Sequence, residues 1–303
     1  MQALLNSLPG SAAQGLIWGI HAIGVYLTYR VLNFSDLTVD GSFCTGGAVC
    51  VMMMLNGFDV SVALLCAVLA GMVCGFVTGA LHTWLQIPAI LSGILTQLGL
   101  YSVNMTIMGK SNQAISVDRY ALVVSLRFIN DSIVYTVILT AVLIGLLYVF
   151  FGTEIGSAIR ATGCNPNMAR AQGINTNRYI RFGLVLSNAL VALAGALYAQ
   201  YQGNSDVNAG RGAIVIGLAA VIIGEVIFGT KRNFAVKLLS AVVGSVIYYI
   251  VITIVLQMGL PSVMLKLFSA IIVAVFLAVP ALKDHVLTAR KNAHHAKGGG
   301  GIA

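Results

Sequence analysis

The sequence predicts an all-α polytopic membrane protein with about nine transmembrane helices and broken helices near the centre. Composition carries the first part of that expectation. The 303 residues are 58% hydrophobic, the mean hydropathy is +0.93, and the 33 glycines raise the apolar share to roughly 69%. Soluble domains reach about 45–50%. Only 9% of the residues are charged, so a soluble fold of this size could not cover itself with polar surface. An ordinary cytosolic enzyme, a disordered chain and a secreted disulfide scaffold are excluded together. The second observation is that the apolar residues fall into runs close to the length of a spanning helix, about 20 residues. The third is a polar interruption, Asn33–Gly41, too polar for lipid and too apolar for a free loop.

Taken in order, the runs are 15–32, 41–56, 60–81, 87–108, 132–151, 177–200, 212–229, 235–257 and 262–280. No Lys or Arg precedes Arg30, so the first run lacks the basic flank of a cleaved signal peptide and is expected to stay in the protein. Between it and the second run, Asn33–Gly41 reads as a break lining a pathway, since non-helical backbone at membrane depth needs protein or a water-filled cavity to satisfy it. The third run carries Gly71, Gly75 and Gly79, a ladder that lets a neighbouring backbone approach one helix face. Residues 1–281 are expected to form one transmembrane domain. The tail 282–303, with His294, His295 and four glycines, reads as a disordered cytoplasmic segment.

Charge by position predicts orientation. If 152–176 is cytoplasmic, 12 of the 17 basic residues fall on that side, among them Arg30, Arg160, Arg170, Arg178, Arg181, Lys231, Arg232 and Lys237. Lys110, Arg119, Arg127, Arg211 and Lys266 fall on the other. The positive-inside rule then places the N-terminus outside and the C-terminus in the cytoplasm. The outer cations read either as solvated loop charge or as contacts to an acidic partner surface. The basic residues are dispersed between apolar runs, which excludes a nucleic-acid patch.

The segment 152–176 is far longer than a connector of about 2–8 residues. Thr153 can cap a short helix whose first turn holds Glu154, and Gly163 can end it in a left-handed turn. Asn165 can cap a second helix with Pro166 at its first position, closed by Gly173. Ile155 and Ile159 share one face of the first helix. Two short, capped helices suit a surface gripped by another protein.

The motif Glu154-Ile-Gly156-x-Ala158-x-Arg160-Ala161-x-Gly163-x-Asn165-Pro166-x-x-Ala169-x-x-x-Gly173-Ile174 resembles the cytoplasmic coupling signature of the membrane permeases of bacterial ABC importers for branched-chain amino acids, ribose-type sugars and related solutes. Gly15–Gly47 and Gly210–Gly229 are similar to two further regions of that family. The Asn33–Gly47 stretch looks like its aromatic amino acid subgroup, for tryptophan or tyrosine. The resemblance implies a type II-like permease in the bacterial inner membrane. It implies a homodimer or pseudo-dimer, cytoplasmic ATPase subunits carrying ATP and Mg, an extracytoplasmic solute-binding protein, and no cofactor in this chain. Coupling would fall to Glu154, Gly156, Arg160, Gly163, Asn165, Pro166 and Gly173, and the gate region to Asn33, Ser35, Asp36 and Asp40.

Polar residues inside spans admit two readings each. Asp36 and Asp40 either cap helix ends or line the path. Gln97, Asn104 and Asn188 either hydrogen-bond neighbouring helices or face a translocation cavity, and His21 reads as packing or as a proton relay. Glu225 is either a path group or a residue near the cytoplasmic end neutralised by Lys231 or Arg232. The cysteines show no metal spacing, and Cys44, Cys50, Cys66 and Cys74 read as small hydrophobes. The nearest approach to a phosphate loop, Gly224–Lys231, has its lysine one residue late and continues a spanning helix, so ATP hydrolysis is expected on a partner. An ion-gradient-driven secondary transporter is the alternative; it would need intramembrane carboxylates arranged as a cation site.

Overall fold

The computed structural model describes residues 2–116, 120, 122–229 and 232–257, with isolated positions between 267 and 278; side chains are described from Ser7 onward. Eight long helices match the first eight apolar runs: α1 (Gln2–Tyr26), α2 (Thr38–Leu55), α3 (Val60–Thr83), α4 (Ala89–Met108), α5 (Ile129–Gly152), α8 (Thr176–Gln202), α9 (Ala213–Phe228) and α10 (Phe234–Gln257). Two short helices, α6 (Glu154–Cys164) and α7 (Pro166–Ala171), lie between α5 and α8. Six of the described helices are long and apolar enough to cross a membrane, and α9 is a shorter apolar helix. The chain is a multi-pass, all-α membrane protein.

One boundary and one unforeseen strand pairing set the structure apart from the sequence reading. Helix α1 begins at Gln2, well before the 15–32 run, because Leu4, Leu5 and Leu8 extend the apolar sequence past Pro9. Two loops also pair, through the short strands β1 (Asn112–Ala114) and β2 (Asn204–Asp206), antiparallel with Gln113 opposite Ser205. Three-residue strands lack any readable periodicity. The span 262–280 and the tail 282–303 lie largely or wholly outside the described residues, as do Arg119, Lys231 and Lys266.

Small residues allow the helices to meet backbone to backbone. Along α3, Gly71, Gly75 and Gly79 face Asn188–Ala192, Leu184–Val185 and Arg181 of α8, and a Cβ on any of them would strike those atoms. On the next side of α8, Gly46 of α2 abuts the Ala192 carbonyl and Gly195 abuts that of Phe43. Helices α9 and α10 meet the same way, Gly224 against Ser240 and Gly244 against Ala220. The result is a buried α2–α8 centre flanked by α3 and α1, while α4 and α5 present large apolar side chains such as Leu98, Val142 and Val149 outward. Trp18 and Phe43 stack at 4.8 Å in that centre, with His21 edge-on to both rings. His21 is therefore a packed residue whose Nε2 lies 3.0 Å from the Ala213 carbonyl.

The expected break is present. After α1 the helix widens into one turn of π-helix, Leu27–Val31. Asn33 adopts φ 54°, and non-helical backbone leads to α2 at Thr38. In this stretch Phe34 and Asp36 point inward while Asn33 and Ser35 are exposed, the alternation of an extended chain.

Backbone contact through glycine sets a test. Gly75→Ala should destabilise the protein by about 1–3 kcal/mol through overpacking, read as a lower unfolding midpoint in detergent. Gly145→Ala on α5, where a Cβ meets nothing within 4 Å, should leave the midpoint unchanged or slightly raise it.

Candidate functional site

Two broken regions meet at Asp40. Helix α2 starts in the interior, and its first turn is capped by Asp36, whose Oδ1 accepts from the Thr38 amide at 2.9 Å. The other oxygen of Asp36 accepts from Asn188 Nδ2 at 2.8 Å, and Asn188 Oδ1 accepts from Ser42 Oγ at 2.7 Å. Thr38 Oγ1 lies 2.6 Å from Thr78 Oγ1, which donates to Thr96 at 3.0 Å. A buried polar chain thus ties α2 to α8, α3 and α4. In an apolar interior, groups left without such partners would be costly.

Asp40 lies in the first turn of α2. Its two oxygens accept from the amides of Gly212 and Ile214, each at 2.9 Å. These amides open α9, whose own N-cap, Gly212 at φ 86°, has no side chain to offer. A carboxylate from α2 therefore caps the positive end of α9. Asp36 and Asp40 both act as caps, and Asp40 does so for a helix about 170 residues away in sequence. Cys44, one turn further along α2, donates to the Val207 carbonyl at 3.1 Å and accepts from the Gly210 amide at 3.0 Å. Its thiol satisfies non-helical backbone, a role that a small hydrophobe could not fill.

A cavity of about 340 Å³ opens beside this junction, between α2, α4 and the segment leading into α9. Asp40, Gln97, Tyr101, Asn104 and Arg211 line it. Gln97 Nε2 lies 3.5 Å from Asp40. Asn104 donates weakly to the Gly41 carbonyl at 3.4 Å, and its Oδ1 is buried with no partner. The Arg211 guanidinium sits over the Tyr101 ring, 5.6 Å from its centroid. Of the residues named from sequence, Asp40, Gln97 and Asn104 come together here. Asp36 and Asn188 sit behind them in the buried chain, and Asn33 and Ser35 face away at the exposed bend.

Glu225 lies elsewhere, near the end of α9, paired with Arg30 of the π-helical turn. This ion pair is made by a residue far away in sequence, whereas of the two cations expected to neutralise Glu225, Lys231 lies outside the described residues. Thus α9 is held at its start by Asp40 and near its end by Arg30.

The α6–α7 segment is built largely as its caps indicate. Thr153 Oγ1 accepts from the Gly156 amide at 3.4 Å, and Asn165 Oδ1 accepts from Asn167 and Met168, both at 3.1 Å. Pro166 occupies the first turn of α7, and Gly173 closes the segment at φ 79°. Gly163 differs from expectation. It lies inside α6, which continues to Cys164, and its φ is not positive. Its glycine is required by close approach, because a Cβ there would collide with the Val31 carbonyl and Leu32. Gly156 similarly faces Phe150 and Phe151. Ile155 and Ile159 part company: Ile159 is fully buried, whereas Ile155 is exposed with Glu154, Arg160, Pro166, Met168 and Arg170.

Residues 7–280 match the family model described as the permease component of branched-chain amino acid transport systems. The chain belongs to this permease family. A tyrosine transport system permease protein of Clostridioides difficile is 38% identical over 88% of this chain and 88% of its own length. An uncharacterised protein of Rickettsia prowazekii is 32% identical over 92% of this chain and all of its own length. An autoinducer 2 import system permease protein of Yersinia pseudotuberculosis is 34% identical over 71% of this chain and 60% of its own. No solved structure matches the chain.

Sequence reading missed Thr38, Ser42, Thr78 and Thr96, because single hydroxyls in apolar helices look like tolerated substitutions. It also read Arg211 as solvated loop charge or as a contact to an acidic partner surface, and not as the lining of a cavity. One signal was available: Gln97, Tyr101 and Asn104 recur at i, i+4 and i+7, which marks one face of this permease's α4.

The capping role of Asp40 is testable by hydrogen exchange. In Asp40→Leu two partly buried amides lose their acceptor, and exchange at Gly212 and Ile214 should accelerate by about 10–100-fold, the equivalent of about 1–3 kcal/mol. Asp40→Asn keeps one acceptor and should fall between.

Proposed function

We propose that this permease is the membrane subunit of an ATP-binding cassette importer that brings a small solute, an amino acid and in the first instance tyrosine or tryptophan, into the bacterial cell by alternating access. One observation carries the mechanical part. Helix α6 presents an exposed face with Glu154, Ile155 and Arg160, and on its other side Gly163 rests on Val31 and Leu32. Those two residues lead directly into the break that ends at Asp36 and Asp40. A partner that moved α6 would push on the helix junction without crossing any flexible loop. Glu154, Gly156, Arg160, Gly163, Asn165, Pro166 and Gly173 form or support the docking surface in this reading. ATP and Mg are held by cytoplasmic ATPase subunits, a solute-binding protein delivers the ligand outside, and a second copy completes the pathway.

The orientation that fits places α6–α7, Arg178 and Arg181 in the cytoplasm, with the N-terminus outside and the C-terminus inside. The C. difficile relative, named for tyrosine transport and 38% identical, supports an amino acid as the solute. The ion-gradient alternative has less to stand on. Asp36 is engaged by the Thr38 amide and Asn188, Glu225 by Arg30, and among the described residues no cluster of carboxylates is arranged as a metal-cation site.

Replacement of Gly163 tests coupling. Gly163→Val would drive α6 off Val31, and reconstituted tyrosine uptake should fall by at least ~10-fold, about 1.4 kcal/mol on the driven step. The ATPase subunits should still co-purify, because the exposed face is intact. Uptake at the wild-type rate would overturn the coupling role, and failure of the wild-type permease to co-purify with any ATPase would overturn the importer assignment.

A further inference from the structure

We propose that the cavity between α2, α4 and the 207–212 segment is a subsite within each permease copy for the charged head of a zwitterionic α-amino acid; this rests on the importer reading above. The lining carries both signs of charge, Asp40 and Arg211, together with the amides of Gln97 and Asn104. Arg211 is exposed to the cavity side and forms no ion pair among the described residues. Its planar fork matches a carboxylate bidentately. On α2, Asp40 is the acidic lining residue; its oxygens accept the Gly212 and Ile214 amides and, at 3.5 Å, Gln97 Nε2, and a carboxylate has about four acceptor sites in all. Those remaining can take an ammonium.

The second observation is Asn104. It is 1% exposed, lines the cavity, and its Oδ1 has no hydrogen-bond partner. Buried acceptors are nearly always satisfied, and a ligand donor such as an ammonium N–H would complete it. Tyr101 adds an aromatic face already covered by the Arg211 guanidinium. The volume, about 340 Å³, is at the lower end for small-molecule sites, which suits a single amino acid and excludes a peptide or oligosaccharide. A neutral sugar-like solute would leave both charges unmatched. Leu98 and Tyr101, which also line the cavity, are exposed on α4.

The test uses the permease–ATPase complex in lipid nanodiscs without binding protein. The probes are L-phenylalanine, phenethylamine, which lacks the carboxylate, and 3-phenylpropionate, which lacks the ammonium. At millimolar concentrations only L-phenylalanine should raise the unfolding temperature. The shift should vanish in Arg211→Gln and be partly retained in Arg211→Lys. In the complete system with binding protein, Arg211→Gln should slow ATP-dependent amino acid uptake by at least ~10-fold, as expected for losing a charge-assisted bidentate contact. Equal shifts from phenethylamine or 3-phenylpropionate, or a shift that survives in Arg211→Gln, would overturn the subsite. Wild-type-rate uptake in Arg211→Gln would overturn the subsite alone, whereas absence of amino acid uptake by the wild-type system would instead defeat the importer reading beneath it.

Discussion

The fold depends on one carboxylate placed where two helices begin. Helices α2 and α9 both start inside the protein, so each presents unpaired amides at a depth where water is scarce. Asp36 resolves the first start locally, through the Thr38 amide. The second start has only Gly212 and Ile214 to offer, and Asp40 reaches across from α2 to accept from both. The interaction serves two elements at once: it ends the non-helical approach to α9 and fixes the depth of α9 relative to α2. Cys44 extends the same solution along α2, its thiol holding Val207 and Gly210. Without these side chains, the amides of Gly210, Gly212 and Ile214 and the Val207 carbonyl would lose these partners.

Glycine provides the complementary constraint. Asp40 can reach α9 only because α2 is seated tightly on α8, with Gly46 and Gly195 against opposing carbonyls. The ladder on α3 closes the other side of α8 through the same kind of contact. Lipid tails are as apolar as leucine, so helix association in a membrane rests on close packing and hydrogen bonds. This centre has both. Glycines bring backbones together, and the Ser42–Asn188–Asp36 and Thr38–Thr78–Thr96 contacts lock the register once they are close.

How much of this was legible follows from the range of each signal. Eight helices were visible because a spanning helix is a long, local pattern, and the caps Thr153, Asn165, Pro166 and Gly173 were visible because capping acts within three or four residues. The break at Asn33–Gly41 showed itself by composition alone. What its carboxylates do was hidden, since the partners of Asp40 lie about 170 residues away and are backbone amides that leave no residue-type signature. Glu225 was assigned to nearby cations for the same reason, although Arg30 holds it. Gly163 is the instructive case. A glycine near a helix end suggests a left-handed cap, yet here it is required by the approach of Val31 and Leu32, and only tertiary structure distinguishes the two demands.

The two ends of α9 are held by residues flanking one short stretch of chain, Arg30 before the bend and Asp40 after it. Helix α9 spans 16 residues, about 24 Å at the rise of an α-helix, and a helix of that length moves as a rod. A bend at 31–37 that changed shape would therefore alter both attachments together, tilting or sliding α9 instead of unwinding it. Helix α6 touches the chain between those attachments, at Val31 and Leu32. Interfaces packed this closely switch between discrete arrangements and do not deform continuously. A small displacement at α6 is then sufficient, provided the second arrangement offers α9 another set of acceptors, because two interior amides released without replacement would cost more than the hydrogen bonds themselves contribute to stability.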